Sequence, residues 1–488
     1  MLSKTTLQDL ARWTGAQVLG TNVLNQTVHS VSSDSRTLKQ GEVFVALRGD
    51  SFDGHQFMAQ AISMGALAII SEHVPAELKQ ASIPLLQVKD SLQAYVAIGK
   101  ALRDSFSGKV LGITGSAGKS STKDMVGVLL GPNTLVSPKS YNNLLGTSKT
   151  LCLLEDTTKN LVLEMGMNGL REIQAMCENF RPEAGVITNI GTAHIGKLGG
   201  QSGIYQAKKE LMDWLGNSSH CWGVGINLDD PLVVQAVAEA VPKNTPRVTY
   251  SAKDSKADIF IEKTQINAQT GALTVDFKVE GRLISARLPH FGIHHAHNLA
   301  AAMALARLAG ISWDLMEERI VQVVPSESRG QLIDLGKSIT LIDESYNSNP
   351  SALISSLESV MKMDPHRRKV LVLGEMRELD EFSETLHREV GQALGKLLMK
   401  TGQKAEVVCV GADSRFLREG LQEEMPQLAT HGVPDVDAVK PWVSALLAPG
   451  DIVLVKGSRG NALDQLVKHL KWDKESAFSV GSSGGKTK

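Results

Sequence analysis

The sequence predicts an α/β fold in three domains, and three observations carry that expectation. An apolar run, Val110 to Thr114, breaks into a glycine turn that ends in Gly118-Lys119-Ser120-Ser121. Two runs after it, 161–165 and 185–190, are continuously apolar, as strands of a parallel sheet covered on both faces tend to be. Beyond Pro325 four further apolar runs alternate with helix-length stretches, the pattern of a second, doubly wound sheet.

Taken in order, residues 1–107 alternate short strands (41–47 and 65–70) with helical stretches, which reads as a small α/β domain. Residues 108–324 open on the glycine turn, and the helix after it places Met125, Val126, Leu129 and Leu130 at helical spacing. A mostly parallel sheet of P-loop ATPase type is expected here. Later in the same stretch, 257–262 and 272–279 alternate apolar with polar residues, so antiparallel strands with one wet face should follow. A long helix from Asn298, rich in alanine, is fit for close packing. Residues 325–474 hold strands at 339–343, 369–373, 406–410 and 451–455, a Rossmann-like doubly wound domain. Residues 475–488 are rich in Ser, Gly and Lys, and a tail without structure is expected.

At 488 residues, 42% hydrophobic and 21% charged, the chain has ordinary globular composition. A net charge of −1 supplies no overall attraction to nucleic acid, and no partner of that kind is expected. No run approaches a membrane span, and the first residues lack the apolar core of a secretory signal, so a cytoplasmic protein is expected. Cys152, Cys177, Cys221 and Cys409 are scattered without paired spacing and read as free thiols.

The turn at 114–121 is the strongest chemical signal. Glycines let backbone N–H groups approach phosphate oxygens, Lys119 can reach terminal phosphates, and Ser120 can offer a hydroxyl to Mg²⁺ at a helix start. Ile113 stands where the longer phosphate-loop pattern has glycine, so the match is to the shorter form Thr114-Gly115-x-x-Gly118-Lys119-Ser120. Ligands of open parallel sheets gather at the carboxyl ends of strands, which singles out Glu164 and, just past another run, His194. Lys208 falls within a helical stretch, where a solvated charged face is the ordinary expectation. Buried near metal ions, a lysine can instead lose its proton and take up CO₂ as a carbamate. The group His290, His294, His295 and His297 lacks a zinc motif's spacing and any nearby acidic ligand. A helix start facing a nucleotide, with His294 and Asn298 one turn apart, fits it better. Two polar strand ends in the third domain, 343–350 and 456–459, complete the set.

These segments together resemble the Mur ligase family over all but the tail. The resemblance rests on Ser33-Asp-Ser-Arg36, the phosphate loop, Asn142-Asn143, Glu164-Met-Gly166, the run 188–194, Ala207-Lys208, the run 343–350 and Lys456-Gly-Ser-Arg459. Within the family, the last two are similar to the branch that adds D-alanyl-D-alanine. The resemblance implies an ATP-dependent amide ligase acting on UDP-N-acetylmuramoyl-tripeptide and D-Ala-D-Ala in peptidoglycan synthesis, working as a monomer. It implies ATP contacts at Thr114, Gly115, Ser116, Ala117, Gly118, Lys119, Ser120, Ser121, Asn298, Arg329, Asp343 (in preference to Glu344) and Asn347. Two Mg²⁺ ions would be held by Ser120, Glu164, His194 and a CO₂-derived carbamate on Lys208. Lys119, Glu164, His194 and Lys208 would be the catalytic group. Ser33, Ser35, Arg36, Asn142, Asn143, Lys456 and Arg459 would contact the other substrates. Ser120 replaces the family's more usual threonine and keeps the hydroxyl, while Ile293 and Gly196 replace its commoner basic and acidic residues. The alternatives are another amino-acid ligase of the same superfamily, or a P-loop ATPase without ligase activity.

Overall fold

A computed structural model describes residues 2–21, 23–49, 52–192 and 195–481, with side chains as far as Trp472. Among these residues the strands form three sheets, and the α/β class expected from the sequence is the one found. The first contains β1 (Gln17–Gly20), β2 (Val31–Ser32), β3 (Val43–Val45), β4 (Ala68–Ser71) and β5 (Pro84–Gln87), in the order β1-β5-β4-β3-β2. Only the β1–β5 pair is antiparallel. The helix Ser91–Ser105 leaves this sheet and carries in its last turn Arg103, whose side chain is almost wholly buried. It donates to the carbonyls of Phe106, Phe180 and Arg181 and to Glu183 Oε1 at 2.6 to 3.1 Å, pegging the first unit to the central one.

The central sheet holds β6 (Lys109–Thr114), β7 (Thr134–Val136), β8 (Asn160–Glu164), β9 (Ala184–Ile187), β10 (Gly223–Asn227), β11 (Arg247–Ser251), β12 (Ile259–Ile266), β13 (Leu273–Val279) and β14 (Arg282–Leu288). Their order is β14-β13-β12-β11-β10-β9-β6-β8-β7, parallel from β7 to β12 and antiparallel in the β12–β14 meander. Burial follows the two strand types. β6 and β8 are closed on both faces over most of their length, whereas β13 and β14 bury alternate residues.

The third sheet runs β15-β16-β20-β17-β18-β19, from β15 (Gln331–Gly336), β16 (Ile339–Glu344), β17 (Lys369–Gly374), β18 (Ala405–Val410), β19 (Thr430–Val433) and β20 (Ile452–Lys456). β15 alone is antiparallel to its neighbour. The four apolar runs read from the sequence are its inner strands, and alternate residues feed two cores. Ile342, Leu371, Leu373 and Leu454 face one layer, and Leu341, Val370, Val372 and Val453 face the other. The two edge strands are only half-buried and carry no continuous apolar run.

The tail expectation is corrected in part. The last helix, Asp464–Gly481, continues through 475–481, while 482–488 lie outside the described residues. Lys474-Glu-Ser-Ala-Phe-Ser-Val480 contains no glycine or proline, so a helix already nucleated on the core propagates until Gly481.

Candidate active site

The end of β6 and the end of β9 build the glycine turn between them. Ser116 N–H donates to the Asn189 carbonyl at 2.9 Å, and Ala117 N–H donates to Asn189 Oδ1 at 3.0 Å. Asn189 Nδ2 and Thr188 Oγ1 both donate to the Ala117 carbonyl, at 3.0 and 2.6 Å. Ser116 and Ala117 thus line the cavity with their own N–H groups already engaged. The donors left for an anion are the first N–H groups of the helix Lys119–Leu130, which have no partner one turn back. Thr114 is buried behind the loop.

Glycine is required twice in this turn. Gly115 and Gly118 have φ of 150° and 83°, and a Cβ on either would overlap Thr188 Oγ1 or Asn298 Oδ1. A left-handed alanine alone costs about 1–2 kcal/mol, so Gly118→Ala is expected to raise the dissociation constant for ATP about tenfold or more. Calorimetric titration checks this, and an unchanged constant would mean that the loop reshapes without loss.

Lys119 Nζ donates to the Gly115 carbonyl at 2.7 Å, folded back over the loop. Burial lowers its pKa, Glu164 opposes that shift and Arg329 adds to it. Glu164, the last residue of β8, is buried and accepts from Ser120 Oγ at 2.6 Å and from Asn142 Nδ2 at 3.1 Å. Hydroxyl and carboxylate oxygens therefore converge beside the helix start, a pair that suits a hard cation such as Mg²⁺. Asn143, its neighbour in sequence, caps the helix Leu144–Leu151 through Gly146 N–H at 2.8 Å and does not line the cavity.

Lys208 lies in the helix Gln201–Asn217 and is 2% exposed. Its stripe of the helix is apolar, with Ile204, Leu211 and Leu215 buried alongside. Burial first, then the Lys119 ammonium, push its pKa well below the ordinary lysine range. The surface reading of this residue fails, and burial favours the neutral amine over the ammonium. His194 lies outside the described residues.

The facing wall comes from the third sheet, across a cavity of about 430 Å³. Arg329 and Asn347, candidates for ATP, and Arg459, a candidate for the other substrates, all line it, and Asn298 closes the side next to Gly118. Asp343 does not line it. Its carboxylate is turned inward to Ser328 Oγ, Ser345 N–H and Ser345 Oγ, and Glu344 takes the cavity position instead. Side chains alternate along β16, so a shift of one residue exchanges cavity for core. Lys456 reaches the cavity but is spent internally, 3.3 Å from both Glu344 Oε2 and the Asn347 carbonyl.

Two residues not expected from the sequence bridge the walls. Tyr346 shares a hydrogen bond with Ser140 of the central unit, and the Arg329 guanidinium sits 3.8 Å from its ring centroid. Arg459 lies 5.3 Å from the same ring. A tyrosine inside the polar run 343–350 was the available signal, since an aromatic at a strand end offers a face for cations or bases. His294 and His295 also line the cavity at the start of the helix His294–Leu308. Burial lowers the pKa of both and so favours the neutral rings.

The first-sheet candidates sit apart from this cavity. Ser35 is buried and donates to Gln60 Oε1 at 3.3 Å, and Ser33 is half-buried. Arg36 is exposed and paired with Asp34 at 2.7 Å. Lys149, six residues beyond Asn143, lies near enough to feel the Asp34 charge, which brings this helix close to the strip 33–36.

Three family models match, one to most of each sheet-bearing unit. The Mur ligase family catalytic domain matches residues 27–102, the Mur ligase middle domain 113–306, and the Mur ligase glutamate ligase domain 328–459. A UDP-N-acetylmuramoyl-tripeptide–D-alanyl-D-alanine ligase of Mycobacterium leprae is 30% identical over 91% of this chain and 93% of its own. The chain belongs to the Mur ligase family. A ligase of the same name from Synechocystis is 29% identical over 96% of this Mur ligase and 98% of its own length. The crystal structure of MurF from Acinetobacter baumannii superposes with a TM-score of 0.81 at 26% identity, covering 96% of this Mur ligase and 98% of that chain.

Proposed function

We propose that this Mur ligase joins D-alanyl-D-alanine to UDP-N-acetylmuramoyl-tripeptide at the expense of ATP. The observation that carries the reading is the meeting of Lys119, Ser120 and Glu164 with Arg329, Asn347 and Arg459 in one cavity. The curated relatives named above supply the substrates.

A free carboxylate is a poor electrophile, and making an amide from it is uphill in water. Its oxygen attacks the γ-phosphorus of ATP, ADP leaves, and an acyl phosphate forms. The amine of D-Ala-D-Ala then attacks the acyl carbon, inorganic phosphate departs, and the nitrogen loses a proton. The side chains position reactants and offset crowded negative charge, and none serves as a nucleophile. Lys119 and the helix N–H groups hold the terminal phosphates, and Arg329 and Arg459 offer further charge from the other wall. Ser120 and Glu164 would hold Mg²⁺, which screens the phosphate charge when bound. His194 and Lys208 would support a second ion, Lys208 through a carbamate formed when its neutral amine adds to CO₂ and releases a proton. The low pKa of Lys208, caused by burial, supports that step. Residues 1–107 would take the UDP-sugar end, 108–324 the nucleotide, and 325–474 would close over it, with the enzyme working in the cytoplasm.

The deciding experiment is a coupled assay of phosphate release. Release is expected only when ATP, UDP-N-acetylmuramoyl-tripeptide and D-Ala-D-Ala are all present. Turnover with a single amino acid in place of the dipeptide would move the chain to another branch of the family. Release indifferent to both acceptor and amine would reduce it to a simple ATPase.

A further inference from the structure

A second group of metal-competent side chains meets in the cavity. His294 and His295 open a helix of the central unit, Glu344 ends β16 in the third, and one ligand atom from each lies within 4.8 Å of the others. Glu344 Oε2 is already taken by Lys456 and Ser356, which leaves Oε1 facing His294 Nε2 at 3.7 Å. Among the described residues, His294 Nδ1 and His295 Nε2 are buried without a hydrogen-bond partner, and so is Nδ1 of His290, whose ring lies 4.6 Å from that of His295. Buried polar atoms are almost always paired, and an ion beside Glu344 Oε1 and His294 Nε2 would supply the partner that His295 Nε2 lacks.

We propose that His294, His295 and Glu344 bind a divalent transition ion of the Zn²⁺ class in the nucleotide-free protein. Two imidazole nitrogens and one carboxylate oxygen, with a fourth position left to water, form a set that zinc accepts and magnesium does not favour. The sequence argued against zinc here because no acidic ligand lies near the histidines along the chain. The fold brings one in from the other unit. The Lys456 ammonium beside Glu344 repels a cation, which makes the site weaker than a dedicated structural zinc centre. Because its ligands come from both walls, a bound ion ties them together and fills space in the cavity that nucleotide needs. Ion and nucleoside then exclude one another reciprocally.

The test uses the full-length protein without nucleotide or Mg²⁺, with Co²⁺ as an absorbing probe and Zn²⁺ in calorimetry. One equivalent is expected to bind, with visible d–d bands for Co²⁺. His295→Asn and Glu344→Gln should each weaken binding by about tenfold or more, whereas Glu164→Gln should not. Adenosine, which has no phosphate to chelate the ion, should displace it. Thermal melts establish that the variants fold, and if His295→Asn does not, Glu344→Gln decides alone. Absence of Co²⁺ bands, binding that survives both substitutions, or binding lost in Glu164→Gln instead would overturn the site. Failure of adenosine to compete would overturn the exclusion.

Discussion

Lys119→Ala abolishes turnover, with kcat lower by about a thousandfold or more and the melting temperature almost unchanged. The size follows from the chemistry, since a cation placed on a transferring phosphoryl group contributes on that scale to phosphoryl transfer. The small structural effect follows from the geometry. Among the described residues the ammonium makes one hydrogen bond, to the Gly115 carbonyl, which neighbouring water can replace. Steady-state kinetics of the three-substrate reaction, with thermal melts as a control, tests it. A purified variant with near wild-type turnover would remove Lys119 from the reaction.

Lys208→Ala loses activity by about a hundredfold or more, and formate or acetate restores part of it. The side chain lies among Ile204, Leu211 and Leu215, so truncation leaves a cavity and lowers stability whatever its chemical role. Rescue is what separates the two roles, because a small carboxylate can occupy the space of the carbamate and supply its charge but cannot repair packing. In the wild type, ¹³C-bicarbonate should give a carbamate carbon resonance that the variant lacks. A variant indifferent to carboxylates, together with a wild type lacking that resonance, would end the carbamate reading.

How much of this was legible in the sequence depended on how local each signal is. The phosphate loop is a strand, a turn and a helix start in immediate succession, so its residues announce themselves within one short stretch. The inner strands of the third sheet are equally plain, because burial on both faces leaves an unbroken apolar run. β10 and β15 escaped notice for opposite reasons. β10 is interrupted by Gly223 and Gly225, and β15 is a half-exposed edge. The choice of Asp343 over Glu344 failed because it turns on the phase of β16, which side-chain type does not reveal. Lys208 carried a readable sign, its place on the apolar stripe of its helix, which the neighbouring charges of Lys209 and Glu210 obscured. The meeting of Glu344 with His294 and His295 could not be read at all, since the partners belong to separate sheets.

The Asn189 side chain grips both sides of the Ala117 peptide, taking its N–H and its carbonyl at once. A loop braced in this way keeps its shape in the empty enzyme. Arriving triphosphate meets a finished mould, so little of its contact energy is diverted into ordering the chain. A change at Asn189, which the phosphates themselves need not touch, should therefore slow capture of ATP by returning that disorder to the unbound state.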